Sequence, residues 1–255
     1  MPRSLVVAIY AAKLLGAAFF FLPRGWLPAA EALFFGPDVF LLYQVFVPSA
    51  RILCRVRSGF RTTAAEIWLT IDDGPDPDDT PRILGLLDDH RARATFFLIG
   101  ERAARHPALV AEIVRRGHEV ACHTQRHPAG TFWCASPRRV RCEIDEALAI
   151  LAASGAAVSR FRAPAGIKNF FLARALAERG LTCVGWSIRS YDWLARRPET
   201  AAARVLRRLR PGAIVLMHEG PWVRPAVRVT AIAQVLRGLH ARRYTCILPR
   251  AEQLT

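Results

Sequence analysis

The stretch Trp68-Leu69-Thr70-Ile71-Asp72-Asp73-Gly74-Pro75 decides how the rest of the chain is interpreted. It is an apolar run, rich in β-branched and aromatic residues, that ends in two adjacent carboxylates and a Gly-Pro turn. This composition predicts a buried strand, with Asp72 and Asp73 at the point where the strand emerges. Because side chains alternate along a strand, we expect the two carboxylates to point in different directions and to have different functions. A surface turn that uses Asp as a turn former is the alternative interpretation.

Short apolar segments alternate with helix-like stretches from residue 66 onward. The predicted strands are residues 66–71, 94–99, 118–122, 160–162, 182–186, 213–217 and 244–248. The predicted helices, with apolar residues three and four positions apart, are residues 80–89, 103–116, 137–153, 170–179, 200–209 and 227–239. Regular alternation of strand and helix predicts an α/β fold with a parallel sheet. About seven repeats, with no Gly-x-Gly-x-x-Gly after the first strand, favour a (β/α)7-type barrel over an open dinucleotide-binding sheet.

The N-terminal part of the chain is a separate apolar segment. Residues 4–22 are apolar apart from Ser4 and Lys13, close to the roughly 20 residues that a membrane-spanning helix requires. A second apolar stretch, residues 32–47, is broken by Gly36-Pro37 and favours an interfacial helix or a cap on the following domain. We therefore divide the chain into a membrane-associated or helical cap segment, residues 1–60, and a main domain, residues 61–255. A buried helical hairpin of a soluble protein is the alternative for the first segment.

The arginines that flank this segment predict its orientation in a membrane. Arg51, Arg55, Arg57 and Arg61 follow it, whereas only Arg3 precedes it. The positive-inside rule then predicts association with a bacterial-type inner membrane, with the main domain on the cytoplasmic side. A simple signal-anchor would place that domain outside. A cleaved signal peptide is disfavoured, because the apolar run is too long and no small-x-small site follows it.

The chain is strongly basic. It has 36 Lys and Arg residues against 21 Asp and Glu residues, a formal net charge of +15. Such a surplus suits an anionic partner such as acidic lipid or acidic glycan. Because the arginines are scattered in pairs rather than gathered on one stripe, we expect no nucleic-acid partner. The six cysteines form no C-x-x-C pair, and we expect most of them to be small, buried, reduced residues.

Polar residues follow five of the predicted strands. In a parallel α/β barrel, functional groups gather at the carboxyl ends of the strands, so these residues should meet at one rim. They are Asp72 and Asp73 after the first strand, residues 123–127 after the third, residues 162–166 after the fourth, residues 190–193 after the fifth, and His218-Glu219 after the sixth.

Two of these residues, His123 and His127, suggest a metal site. They are four positions apart, so we expect them on one face of a helical turn, where both imidazoles can reach one cation. A carboxylate from the first strand end completes a His-His-Asp set, which suits zinc or another divalent first-row metal. The same set serves non-haem iron oxygenases, so the ligands alone leave the reaction open.

Five motifs occur in an order and spacing that identify a family. They are Thr70-Ile71-Asp72-Asp73-Gly74, His123-Thr124-x-x-His127, Arg162-x-Pro164-x-Gly166, Asp192-Trp193 and Leu216-x-His218. By these motifs the chain resembles the polysaccharide deacetylases, the NodB-homology group of carbohydrate esterase family 4, over residues 66–248. The resemblance implies a distorted, NodB-like parallel barrel and a hydrolase of non-peptide carbon–nitrogen bonds. Its substrate would be a glycan that contains an N-acetylated, or similarly N-acylated, amino sugar.

The resemblance also implies a role for each matching residue at the first two motifs. Asp73, His123 and His127 match the ligands of one divalent metal ion, with zinc the first choice. Asp72 matches the general base that takes a proton from the water held by the metal. Arg162 matches the residue that orients this base and, with the cation, keeps it charged.

The remaining motifs match the acid side and the acyl pocket. His218 matches the general acid that protonates the departing amine, and Asp192 would favour its charged form. Trp193 and Leu216 match the apolar walls around the acyl methyl group. Each residue also has an ordinary structural interpretation, such as a core tryptophan or a structural ion pair, but all of the motifs together would require several coincidences.

Arg189 departs from the family pattern. It stands at the first aspartate of the usual Asp-x-x-Asp-Trp motif and replaces an acid by a permanent cation. We place it among the substrate-side residues with Trp193 and Leu216, and hypothesise that it meets a phosphate or carboxylate on the substrate. Ile71, where the family usually has Phe, and Glu219, where it often has Asp, are conservative departures.

Other functions stay open at this level. The apolar N-terminus and the basic surface also suit a deformylase or deacetylase of a lipid-linked amino sugar. A catalytically weak glycan-binding module would need no tightly held metal. An oxygenase would leave Asp72 and His218 without roles.

Overall fold

The computed structural model describes residues 3–255 and shows an α/β domain preceded by two helices. The two N-terminal helices are α1 (Arg3–Phe19) and α2 (Leu27–Phe46). The strands of the α/β domain are β1 (Glu66–Gly74), β2 (Ala94–Leu98), β3 (Glu119–Cys122), β4 (Arg160–Phe161), β5 (Thr182–Cys183), β6 (Ile188–Arg189), β7 (Ala213–His218) and β8 (Thr245–Cys246). Its helices are α3 (Asp79–Asp89), α4 (Gly100–Arg105), α5 (Pro107–Arg115), α6 (Pro137–Ala153), α7 (Leu172–Ala177), α8 (Pro198–Leu206) and α9 (Arg228–Ala241).

The strands form one parallel sheet in the order β5-β4-β3-β2-β1-β7-β6, with β8 beside the start of β1. β5 and β6 are the two ends of this order, yet only residues 184–187 connect them. A link of this length spans at most roughly 18 Å, so the sheet must curl until its ends approach each other. The sheet is therefore an incomplete barrel, and the predicted NodB-like α/β fold is confirmed.

Residues 57–60 run along the gap between the sheet ends. Arg57 forms a parallel bridge with Val184, and Gly59 forms an antiparallel bridge with Ala213. The side chain of Phe60 is buried inside the curled sheet. This segment therefore packs as part of the α/β domain.

Alternation along β1 separates the two cores of the domain. Ile67, Leu69 and Ile71 pack in the large cluster between the sheet and the helices, whereas Trp68 lies in the smaller cluster inside the barrel. Asp72 is an even-numbered residue of the same strand. It therefore continues the inner face to the carboxyl end of β1, where the barrel opens.

Two predicted elements differ from the structure. The single helix predicted for residues 103–116 is two helices, because Pro107 lacks an N–H and excludes helical geometry at His106, whose φ is −133°. The strand predicted for residues 182–186 ends at Cys183, and β6 was not predicted because a two-residue strand carries no periodic signal. The loop of residues 190–193 therefore follows β6.

The N-terminal helices form an antiparallel pair. The absence of a side chain at Gly16 allows close approach, since a Cβ there would lie 2.7 Å from the Phe34 nitrogen. Lys13 Nζ lies 2.6 Å from Asp38 Oδ2. These contacts lie on both sides of Pro37, and α2 runs through this proline without interruption. The prediction that Gly36-Pro37 breaks the second apolar stretch was therefore wrong.

The outer surface of this helix pair is apolar. Phe21 is 92% exposed, and many other large apolar side chains are exposed with it: Val7, Tyr10, Leu14, Leu22, Phe35, Val39, Leu42 and Tyr43. By length and composition, Arg24–Phe46 could cross a membrane, and 17% of its apolar window is buried; Ser4–Phe19 is apolar but shorter.

A buried lysine joins the helix pair to the α/β domain. Lys168 Nζ donates to the carbonyl oxygens of Val47, at 2.6 Å, and Pro48, at 3.3 Å. The backbone N–H of Lys168 donates to Val45 O at 2.9 Å. Gly166 lies so close to Pro48 and Trp186 that a Cβ would be 2.7 Å from each. The end of α2 is thus fixed against the loop that follows β4.

The cysteines are all unpaired thiols within the described residues. Cys54, Cys122, Cys183 and Cys246 are buried, Cys142 is partly exposed and Cys134 is exposed. Burial raises the pKa of Cys122 and of Cys246 to about 12, so both thiols are protonated at neutral pH.

Candidate active site

A bulge at the end of β1 turns both of its carboxylates toward one place. β1 pairs with β2 through Asp72 and then through Gly74, so Asp73 is the extra residue, with φ of +76°. His123 Nε2 lies 3.7 Å from Asp72 Oδ2 and 3.5 Å from Asp73 Oδ1. The prediction that the two carboxylates point in different directions was therefore wrong, because the bulge interrupts the alternation of the strand. Arg102 Nη1 donates to the Asp73 carbonyl at 2.7 Å and supports the bulge.

His123 and His127 lie in a loop after β3, and the helical turn predicted for them was wrong. Thr124 and His127 have positive φ values of 65° and 54°, which no helix contains. The loop is held by side chains: His127 N donates to Thr124 Oγ1 at 3.1 Å, and the amides of residues 125 and 126 donate to buried Glu143. The two imidazole rings nevertheless converge, with their centroids 4.7 Å apart.

Three donor atoms of Asp73, His123 and His127 are arranged as ligands of one metal ion. They lie within 4.8 Å of one another. Asp73 Oδ1 is buried without a hydrogen-bond partner among the described residues and lies 3.5 Å from Nε2 of each histidine. His123 Nδ1 is 2.9 Å from the Arg162 carbonyl; donation of that proton leaves the Nε2 lone pair free for a metal. The residues therefore fit a divalent metal ion.

Protonation states at this cluster suit metal binding. Burial opposes ionisation of Asp73, but the three neighbouring histidines outweigh it and lower the pKa of this carboxyl to about 2. Burial, supported by the charge of His123, lowers the pKa of His127 to about 4. At neutral pH Asp73 is thus a carboxylate and His127 a neutral imidazole, which are the forms that bind metals.

Arg162 fixes the other carboxylate. Its Nη1 donates to Asp72 Oδ1 at 2.5 Å and to Thr70 Oγ1 at 2.9 Å. Its remaining N–H groups donate to the backbone carbonyls of Val184 and Gly185. Arg162 is fully buried, so this network is shielded from solvent and holds Asp72 with Oδ2 toward the histidines.

His218 ends β7 directly beside Asp72, with which it pairs in the sheet register. Its Nδ1 lies 2.7 Å from Asp192 Oδ1, and its backbone N–H donates to Asp192 Oδ2 at 2.8 Å. Burial alone would lower the pKa of His218. The charge and hydrogen bond of Asp192 outweigh burial and raise this pKa to about 9. His218 is therefore an imidazolium at neutral pH.

These residues surround one cavity of about 360 Å³. Arg162 and Asp192 lie behind its wall, and the other residues predicted for the site line it. The lining residues are Asp72, Asp73, His123, His127, Ala165, Trp186, Arg189, Trp193, Leu216, His218, Trp222 and Val223. Leu216 is buried, whereas Trp193 is 42% exposed at the mouth. The structure thus brings together the metal-binding, acid–base and substrate-side residues predicted from the sequence.

Several residues of the cavity were not predicted. The Trp222 ring lies 5.1 Å from the His127 ring and 4.6 Å from the Arg102 guanidinium. The only signal in the sequence was its position in a Gly-Pro turn just after the sixth predicted strand end. Glu219, which was predicted to follow the sixth strand, is buried outside the cavity lining: its Oε2 accepts from Thr80 at 2.5 Å, and burial raises its pKa to about 8.

Comparison with known proteins gives a consistent result. Residues 60–184 match the family described as polysaccharide deacetylase. A chitooligosaccharide deacetylase of Sinorhizobium fredii is 40% identical over 166 residues, which are 64% of this chain and 75% of the relative.

Two solved structures share the fold. A peptidoglycan N-acetylglucosamine deacetylase in complex with an N-oxidanyl-benzamide has a TM-score of 0.70 and 30% identity, over 74% of this chain and 88% of the other. A family 4 carbohydrate esterase from Streptomyces lividans in complex with acetate has a TM-score of 0.67 and 29% identity, over 78% and 98% of the two chains. With the motifs and the cavity, these likenesses show that the chain belongs to the polysaccharide deacetylase family, enzymes that hydrolyse carbon–nitrogen bonds.

Proposed function

We propose that this protein is a metal-dependent deacetylase that removes the N-acetyl group from an amino sugar of a glycan. One observation carries the proposal: three metal-ligating atoms, one of them a buried carboxylate oxygen without a partner, face the same cavity as Asp72 and His218. Acid–base groups on the two sides of a metal cluster are what hydrolysis of an amide requires.

Asp73, His123 and His127 are proposed to hold the metal, with zinc as the first choice because two imidazoles and one carboxylate are typical zinc ligands. The bound ion would supply a Lewis acid that polarises the acetyl carbonyl and makes water easier to deprotonate. All other parts of the reaction are assigned to side chains of the chain itself.

Asp72 is proposed as the general base. Its Oδ1 is bonded to Arg162, whereas its Oδ2 faces the cluster, so only the second oxygen is available to receive a proton. Arg162 thereby fixes the direction from which the proton is taken. The carboxylate needs no rearrangement, because its position is already set before substrate binds.

His218 is proposed as the general acid. An amine is a poor leaving group unless it is protonated, so the group that faces it must carry a proton at neutral pH. The raised pKa of His218 provides that proton, and the hydrogen bond from Nδ1 to Asp192 directs Nε2 toward the cavity, which His218 lines. Asp192 is thus a positioning residue for this acid.

Leu216 and Trp193 are proposed as the walls of the acyl pocket, as in the family pattern. Both line the cavity close to His218. The exposed aromatic faces of Trp193 and Trp222 at the mouth suit stacking against a sugar ring. Relatives named as deacetylases of chitooligosaccharide and of peptidoglycan N-acetylglucosamine support an acetylated amino sugar as the substrate.

A second candidate substrate is a lipid-linked amino sugar, from which a deacetylase or deformylase would remove the acyl group. The observation that favours it is the position of the apolar helix pair, whose end packs against Gly166 beside cavity residues Ala165 and Trp186. We propose that residues 4–47 associate with a membrane, which would bring the cavity near lipid-linked substrates. We retain the division into residues 1–60 and 61–255 as a working proposal, with residues 57–60 at its boundary packing against the α/β domain.

The metal requirement is tested by measuring bound zinc and acetate release from N-acetylglucosamine oligomers with the full chain in detergent. We expect a chelator to abolish acetate release and one equivalent of zinc to restore it. His127→Gln should lower bound zinc, whereas the matched control His240→Gln, at an exposed histidine on α9, should retain it. Acetate release that persists after removal of all bound metal would contradict the proposal.

A further inference from the structure

Arg189 is the one charged or ionisable residue among those lining the described cavity that the proposed reaction leaves without a role. β6 pairs with β7 so that Arg189 stands beside Leu216, the proposed wall of the acyl pocket. Both side chains line the cavity that contains Asp72 and His218. Arg189 therefore lies beside the proposed acyl pocket.

Aromatic rings surround the guanidinium of Arg189. It lies over the rings of Tyr191 at 5.0 Å, Trp186 at 5.4 Å and Trp193 at 5.8 Å. Its Nε is buried and has no hydrogen-bond partner within residues 3–255. Rings contact the flat face of a guanidinium, whereas its N–H groups point outward in the plane. The rings thus hold the side chain without using its donors.

The acidic residues of the site face groups other than Arg189. Asp72 is bonded to Arg162, Asp192 to His218, and Asp73 faces two histidines. A guanidinium with free in-plane donors matches the two oxygens of a phosphate or carboxylate. A phosphate or carboxylate group on a ligand would therefore suit the N–H groups of Arg189.

We propose that Arg189 binds an anionic substituent, a phosphate or a carboxylate, carried by the amino sugar whose acyl group occupies the pocket beside Leu216. The inference rests on the proposed function and narrows its substrate class from neutral glycans to anionic amino sugars. A phosphate would belong to a sugar phosphate or a phospholipid-linked sugar, and a carboxylate to an acidic sugar.

Arg204 provides a matched control. Its guanidinium also lies over the Tyr191 ring, at 5.7 Å, and one of its nitrogens is likewise buried without a partner within the described part of the chain. It comes from α8 and does not line the cavity. Arg189→Gln and Arg204→Gln therefore both remove an arginine stacked on Tyr191. Only Arg189→Gln also removes a cation from the cavity.

The experiment measures kcat/KM for acetate release from three acceptors: N-acetylglucosamine 1-phosphate, N-acetylmuramic acid and the neutral methyl glycoside of N-acetylglucosamine. We expect Arg189→Gln to lower the ratio of anionic to neutral kcat/KM roughly 10- to 100-fold, the effect of losing a charged hydrogen bond. Arg204→Gln should leave this ratio unchanged, and Arg189→Lys should restore part of it. The acceptor whose ratio falls identifies phosphate or carboxylate as the group bound.

Binding by the wild-type chain and Arg189→Gln, measured by calorimetry with the same acceptors, separates this inference from the proposed function. Suppose that no acceptor is deacetylated, that the wild type binds an anionic acceptor more tightly than the neutral one, and that Arg189→Gln loses this preference. The proposed reaction would then be wrong, and the anion-binding site at Arg189 would be supported. Equal losses for anionic and neutral acceptors in Arg189→Gln, or a wild type that binds both equally, would overturn the inference. Direct contact of a phosphate with the metal is controlled for, because Arg189→Gln leaves the proposed ligands Asp73, His123 and His127 intact and would keep any preference that comes from the metal.

Discussion

The two adjacent carboxylates of β1 differ in their partners rather than in their directions. Both approach His123 Nε2, but Asp72 is bonded to Arg162, whereas Asp73 Oδ1 has no hydrogen-bond partner within the described residues. A carboxylate fixed by a guanidinium keeps one oxygen for a proton, and an unpartnered carboxylate oxygen beside two imidazoles suits a metal. The division of labour proposed for them follows from these surroundings.

Asp192 makes the largest favourable contribution to the charged form of His218, ahead of Asp73 and Asp72. Because Asp192 raises the pKa of His218 to about 9, the imidazolium should persist up to that pH and kcat should fall above it. Asp192→Asn removes the stabilising charge, so the pKa of His218 should fall, and the alkaline decline of kcat should move to lower pH by roughly 1–3 units. The measurement is kcat for acetate release between pH 6 and 10.5.

Asp145→Asn serves as the control for this prediction. Asp145 pairs with Arg179 on the surface, and neither residue lines the cavity, so the loss of Asp145 should leave the pH profile unchanged. An Asp192→Asn enzyme whose alkaline limb coincides with that of the wild type would show that His218 is not the group that titrates.

At the scale of single residues, the sequence predicted which residues form the site better than it predicted their backbone conformations. The proposed metal-binding, acid–base and acyl-pocket residues were found from motifs, because their chemistry is visible in their types and order. The bulge at Asp73 and the positive φ angles of Thr124 and His127 were missed, because neither residue type nor spacing marks them. Trp222 was missed because one aromatic residue in a turn has no periodicity.

At the scale of elements, strand ends explain why the site forms where it does. Asp72 and His218 lie side by side near the ends of the neighbouring strands β1 and β7. Arg162 directly follows β4, and its backbone N–H donates to Cys122 O at the end of β3. Parallel strands deliver all of these residues to one rim. The strand-helix alternation was predictable because the longer strands β1, β2, β3 and β7 are mainly apolar runs. The strand β6 and the helix break at Pro107 were not predictable. Both depend on only a few residues, too few to give a periodic pattern of apolar residues.

The presence of two N-terminal helices was predictable from the sequence, but their contact with the α/β domain was not. Its apolar composition predicted helices, whereas its contact with the loop after β4 depends on Lys168, an ordinary lysine in the sequence. Burial lowers the pKa of this lysine, and the carbonyl oxygens of Val47 and Pro48, just after α2, accept hydrogen bonds from its ammonium group. Lys168 therefore acts as a C-terminal cap from a distant part of the chain.

At the scale of the whole molecule, the membrane association proposed for residues 4–47 predicts an orientation for the antiparallel helix pair. α1 and α2 are about 25 and 30 Å long by helical rise, close to the thickness of the hydrocarbon core. The Lys13–Asp38 pair neutralises two of the charges within the helices, and Glu31 lies near the start of α2, close to residues 24–26. Residue 4 and the α/β domain should then lie on one side, and residues 24–26 on the other.

This arrangement is tested by labelling single cysteines with a membrane-impermeant maleimide in sealed vesicles of one orientation. The variants Ser4→Cys, Gly25→Cys and Ser49→Cys all change exposed positions, and Cys134→Ser removes the exposed native thiol. We expect positions 4 and 49 to react from the same side and position 25 only from the opposite side. Reaction of all three from one side would show that the helices do not cross the bilayer.

The central claim is that Asp73 holds the metal and Asp72 moves the proton. It is tested most directly by measuring bound zinc together with acetate release from N-acetylglucosamine oligomers in Asp72→Asn and Asp73→Asn. We predict that Asp72→Asn retains about one zinc per chain while its kcat falls roughly 100-fold or more, since general-base catalysis contributes on this scale. Asp73→Asn should lose both zinc and activity. Full activity in Asp72→Asn, or zinc lost from Asp72→Asn but retained by Asp73→Asn, would contradict the account.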